Sequence, residues 1–181
     1  MMRLTNWIES LASRRNILLG LLVTIIVGAI MMVGIQPQMM ALTGGLPILD
    51  TRLAYTFNDV NDLLTALGVS GRQLYTYHQI ADSVFPLAYA LTMAFVLAIL
   101  AKRVLPENAR TRATVLLPLV GAVFDYLENA LIASQIASYP TLSPAIIAVA
   151  TGMTGVKWIF MAASFAAILL LAVVSYLRRK Q

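Results

Sequence analysis

Cysteine is absent from the chain, and histidine occurs once, at His78. The first absence excludes disulfides, thiol catalysis and thiolate metal sites, and with them the four-helix membrane thiol oxidoreductases, which need paired cysteines. The second excludes haem bundles ligated by several histidines and leaves any zinc site to be built almost wholly from carboxylates, so no metal and no cofactor is expected. Charge is scarce too, at 12% of residues. Also lacking are the strict apolar/polar alternation of a membrane barrel, low-complexity tracts, internal repeats and a soluble-domain boundary.

What the chain has in quantity is apolar side chain. At 60% hydrophobic residues and a mean hydropathy of +0.81, it carries more apolar surface than one soluble core of 181 residues can hide. The apolar residues fall in four stretches, about 17–35, 80–101, 113–137 and 145–176. Each supplies the roughly 20 residues that a helix needs to cross a bilayer core about 30 Å thick. The expectation is an all-α integral membrane four-helix bundle, a single domain over residues 1–181.

The basic balance, 13 Lys and Arg against 8 Asp and Glu, is unevenly placed. Arg3, Arg14 and Arg15 precede the first span, Lys102, Arg103, Arg110 and Arg112 lie between the second and third, and Arg178, Arg179 and Lys180 follow the fourth. The connection between spans one and two has only Arg52 and Arg72, and the one between three and four has none. By the positive-inside rule both termini face the cytoplasm. The clusters read as orientation signals and as attraction to membrane lipid headgroups, not as a nucleic-acid surface.

In chain order, Leu4, Trp7, Ile8 and Leu11 recur at helical spacing, with Arg3, Glu9, Ser10, Arg14 and Arg15 on other faces. This predicts an interfacial amphipathic helix. The first span is too long for a signal-peptide core and lacks a clear small-x-small cleavage site, so it is expected to stay on the chain. An outer connection of 36–72 follows, opened by the breakers Gln36-Pro37 and Thr43-Gly44-Gly45-Leu46-Pro47. Within it, Thr56 and Asp59 stand at capping-box spacing with Tyr55 and Val60 as the staple, and Val60, Leu63, Leu64 and Leu67 form one stripe ended by Gly68. That is a short outer helix. Ser70 and Gln73 repeat the capping spacing, with Val69 and Leu74 as the staple, so the second long helix is expected from Ser70 to about Ala101, kinked at Pro86.

The candidate site is a set of polar groups at membrane depth. Asp125, Glu128 and Asn129 are spaced i, i+3 and i+4 and share a face, with Pro118, Gly121 and Gln135 on or beside it to let a neighbour approach closely. Lys157, preceded by Thr151, Gly152, Thr154 and Gly155, lies at matching depth on the fourth helix. An unpaired ammonium there is costly, so Lys157 is expected to meet Asp125 or Glu128, with the other acid protonated or paired with a residue such as Arg52. On the second helix Tyr75, His78, Asp82 and Tyr89 fall on one face with Phe85 between them, and Asp50 and Arg52 stand above. Gly152 and Gly155 offer tight packing within the bundle or between copies, so an oligomer or larger complex stays open.

Leu49-Asp50-Thr51-Arg52, Gly71-Arg72-x-x-Tyr75, Asp82-x-x-Phe85-Pro86-Leu87-x-Tyr89 and Asp125-Tyr126-Leu127-Glu128-Asn129 resemble uncharacterised small bacterial membrane proteins with four spans. That resemblance implies a bacterial inner membrane and no particular activity. The layout is also loosely similar to the emopamil-binding and sigma-2-receptor group, which has a long first outer connection, a Pro-broken second helix and acidic residues around a pocket for sterol-like amines. No motif matches that group residue by residue, and the first span lacks its acidic residue.

Three function classes follow. In one, the cluster is a pocket open to the outer side that binds or acts on an amphiphilic small molecule or lipid, with Asp125 and Glu128 receiving a cation or shuttling a proton, Asn129 and Tyr89 orienting the ligand, and Lys157 setting the electrostatics. In another the protein is an accessory or assembly subunit whose polar cluster is structural. The third is a proton- or cation-coupled transporter. Paired carboxylates serve enzyme and binder equally, so the sequence does not separate the two.

Overall fold

Four helices long and apolar enough to cross a membrane dominate the computed structural model, which describes residues 2–106 and 112–178. The described residues are overwhelmingly helical, and none of them forms a strand. Helix α1 covers Met2–Leu11 and α2 covers Arg14–Leu42. Helix α3 runs over Phe57–Asp82, α4 over Phe85–Val104, α5 over Leu117–Ser138 after a 3-10 turn at Ala113–Leu116, and α6 over Pro144–Arg178. Helices α5 and α6 pack together most extensively, with α4 against both; α2 leans chiefly on α4.

The first long helix corrects the expected boundary. Gln36-Pro37 does not break it: residues Ile30–Ile35 form a π-helical turn and the helix continues to Leu42. The wider turn hands the Gln36 N–H to the Met31 carbonyl, five residues back, and Pro37 follows at the start of the resumed α-helix, where its missing N–H is tolerated. Helix α2 is largely exposed apolar surface.

Thr56 caps α3 as expected, with both arms of the capping box formed to Asp59, and Val60, Leu63, Leu64 and Leu67 are buried. The apolar stripe packs against Met39, Ile48, Leu49, Tyr55, Ile132 and Ile147. At Gly68 the backbone turns through φ +62 and ψ −168, a region open essentially to glycine alone. No neighbouring atom lies within 4 Å of where a Cβ would stand. Gly68→Ala therefore tests backbone strain alone and is expected to cost about 1–3 kcal/mol; an unchanged thermal melt in detergent would show that the turn relaxes. The second capping box does not form: among the described residues no hydrogen bond joins Ser70 and Gln73, whose Nε2 donates to the Tyr77 hydroxyl. The break between α3 and α4 lies at Ser83-Val84, before Pro86 and not at it, and the freed Ser83 carbonyl accepts from Tyr126 OH at 2.8 Å.

The basic clusters meet at one end of the bundle. Glu9 is buried there between Arg112, at 3.0 Å, and Lys102, at 3.8 Å, while Arg178 donates to the Val104 carbonyl. Helix α1 thus turns Thr5, Ile8 and Glu9 inward and leaves Leu4 and Trp7 exposed, which corrects the expected single face of Leu4, Trp7, Ile8 and Leu11. Arg110, Arg179 and Lys180 lie outside the described residues. At the opposite end sit the 43–56 loop and the turn between α5 and α6, where Gln135 Oε1 accepts from the Ser143 N–H.

Candidate functional site

Helices α5 and α6 approach closely at Gly121, which faces the Phe160 side chain and the Lys157 backbone. That contact carries Lys157 to both acids. Its Nζ lies 2.6 Å from Glu128 Oε2 and 3.1 Å from Asp125 Oδ1. The remaining carboxylate oxygens are met by hydroxyls: Tyr89 OH donates to Asp125 Oδ2 at 2.9 Å, and Thr154 Oγ1 and Tyr55 OH lie 2.6 and 3.2 Å from Glu128 Oε1. Burial, reinforced by the Glu128 charge, pushes the Tyr55 phenol far up, so it remains a hydrogen-bond donor. The expectation of one acid for Lys157 is thereby corrected to two. Arg52 does not reach in: its guanidinium pairs with Asp59 at 3.1 Å and bonds the Pro47 carbonyl, and only its backbone oxygen faces the site, accepting from Trp158 Nε1.

Among the described residues, a second group of acids pairs with no lysine or arginine. Asp82 accepts from Asn129 Nδ2 at 2.6 Å, and among the described residues nothing else bonds its side chain. Asp50, on the loop above, accepts from Tyr75 OH at 3.1 Å and from Gln79 Nε2 at 3.5 Å. His78 is fully buried, its Nε2 3.2 Å from Gln36 Nε2, while Nδ1 has no hydrogen-bond partner and stands 4.0 Å from Asp50 Oδ2. When the Gln36 amide donates to Nε2, a neutral ring carries its hydrogen on Nδ1, aimed toward Asp50.

Asp50, His78 and Asp82 join Asp125 and Lys157 in lining one cavity of about 160 Å³. Its floor is Asp50, His78, Asp82, Tyr89, Asp125 and Lys157; Met31 and Met32 of the π turn stand on one side and Trp158 and Met161 of α6 on the other. The first and last long helices do not pack extensively on each other, and the cavity lies between them. Of the residues expected to converge, Tyr75, Glu128 and Asn129 stand behind the lining and Arg52 outside it. Gly152 and Gly155 have no atom within 4 Å of a Cβ position, so they provide no close packing within the chain.

Sequence reasoning misses Gln36, Tyr55, Thr154 and Trp158 as members of the site. By spacing alone Tyr55 is only a staple and Gln36 only a breaker. Thr154 carries a usable signal, since it stands three residues before Lys157 on the same face.

Burial pushes the Asp50 carboxyl up from its ordinary value of 3.8, and the Lys157 charge draws it only partly back. A carboxyl held up in the folded state favours folding when protonated. Its contribution is full below the unfolded value and is lost as pH rises through the raised one. The detergent-solubilised protein is expected to melt higher at about pH 5 than at about pH 8, with Asp50→Asn flattening the slope. A slope unchanged by the substitution would remove Asp50 as its source.

No protein family, curated protein or solved structure matches this chain.

Proposed function

We propose that this chain is a four-span protein of the bacterial inner membrane, both termini cytoplasmic, whose cavity binds an amphiphilic small molecule or lipid. The observation that carries the reading is the split character of the cavity. Its mouth is methionine, tryptophan and phenylalanine, and its floor holds His78 Nδ1, which has no hydrogen-bond partner, and Asp82, bonded only by the Asn129 amide. Buried polar atoms are nearly always satisfied, so His78 Nδ1 and the open side of Asp82 call for a head group that both accepts and donates. A mouth of partly exposed apolar side chains suits a molecule that carries an apolar body. Helix α1, with Leu4 and Trp7 outward, then lies at the cytoplasmic interface.

The paired acids take a different part. Lys157 with Asp125 and Glu128 is nearly complete in itself, which makes the triad the device that holds α4, α5 and α6 in register at the floor of the cavity. Coupled transport is disfavoured by the basic end of the bundle, where Ile8, Ala94, Leu97, Ala98, Ala101 and Val115 form a close apolar core. Native mass spectrometry of the gently extracted protein tests the reading through a co-purifying ligand that depends on Asp82.

A further inference from the structure

A second groove lies on the other side of α3, at the end of the bundle that carries the 43–56 loop, with a volume of about 430 Å³. Arg72, Gln73, Thr76, Tyr77 and Gln79 of α3 form one wall, and Ala133, Ile136 and Ala137 of α5 the other. Arg72 is held as a fixed plane. Its Nη1 donates to the Leu64 carbonyl at 2.9 Å, closing the helical segment that ends at Gly68, and the guanidinium stacks over the Tyr139 ring 4.1 Å from its centroid. Among the described residues no carboxylate meets it, and its Nε and Nη2 edges have no protein partner. The other cation on this end, Arg52, is paired with Asp59. A second donor lines the same groove: the Tyr77 hydroxyl accepts from Gln73 Nε2 at 3.0 Å, which leaves its own O–H free to donate.

A stacked guanidinium with two open N–H edges matches a phosphate diester, and the adjoining alanine and isoleucine surface matches the start of an acyl chain. We infer that this groove is a binding site for one anionic phospholipid of the outer leaflet, its phosphate on Arg72 and Tyr77 and an acyl chain along Ala133, Ile136 and Ala137. The site is separate from the central cavity and lies at the level where Tyr and Arg meet headgroups.

The test is a titration of the detergent-solubilised full chain with phosphatidylglycerol, phosphatidylcholine or inorganic phosphate, read by native mass spectrometry. One copy of phosphatidylglycerol is expected to bind about fivefold more tightly than phosphatidylcholine, the gain that one basic side chain gives an anionic headgroup. Both Arg72→Gln and Ala137→Trp should remove that preference, the second by filling the acyl wall at an exposed position that leaves Arg72 in place. If Arg72→Gln fails to fold because Leu64 loses its donor, Ala137→Trp decides alone. Equal binding of the two lipids, retention of phosphatidylglycerol by Ala137→Trp, or displacement by inorganic phosphate at matched concentration would each overturn the lipid assignment, the last by revealing a bare anion site.

Discussion

Lys157→Met is expected to destabilise the bundle by about 3–5 kcal/mol, the cost of breaking a buried ion pair from one side. The magnitude follows from what the substitution leaves behind. Asp125 and Glu128 stand three residues apart on one helix face, both buried, and both take their positive charge from the same ammonium. Removing it strands two acids that the Tyr89, Tyr55 and Thr154 hydroxyls solvate but do not neutralise. The pair's net contribution is a separate quantity, because desolvating three charges offsets much of their attraction. Lys157→Met combined with Asp125→Asn and Glu128→Gln is therefore expected to recover most of the loss. Unfolding titrations of the three proteins in mixed micelles check both halves. A single variant as stable as the wild type would show that Lys157 is not the partner of the two acids.

The second large effect separates ligand binding from folding. Asp82→Asn keeps the size of the side chain and leaves an amide oxygen to accept from Asn129, so stability should move by less than about 1 kcal/mol. Ligand retention should fall by about tenfold or more, since the variant removes the one carboxylate of the cavity that meets only a neutral amide. Asp125→Asn and Glu128→Gln are poorer probes, because each also breaks the triad that holds the helices.

The parts of this arrangement that are legible in the sequence share a physical cause. A charge among apolar helices has so few low-energy environments that Lys157 has to meet Asp125 or Glu128, and the matched positions say so, while its bonding to both acids at once is not legible there. Likewise the capping box at Thr56 and the stripe from Val60 to Leu67 are local patterns, readable without tertiary information. What stays hidden is decided elsewhere. The π turn before Pro37 has no periodic signature, so Gln36-Pro37 reads as a stop and nothing shows Gln36 reaching His78. Arg52 is drawn to Asp59, seven residues along, instead of to the distant acids, and the half-buried local pair avoids most of the desolvation that reaching inward demands. Tyr55 meets Glu128 across 73 positions of chain, a contact no spacing rule encodes. The helical spacing of polar residues along α3 and α4 does place His78, Asp82 and Tyr89 together, while the break at Ser83-Val84, not Pro86, sets their angle.

On the proposed reading, the cavity between the first and last long helices holds an amphiphile by its polar floor. Native mass spectrometry of the gently extracted wild type beside Asp82→Asn tests it most directly. The account predicts a defined small-molecule or lipid adduct on the wild type that is lost from Asp82→Asn while the melting temperature holds. No adduct on the wild type, or the same adduct on both proteins, would contradict it.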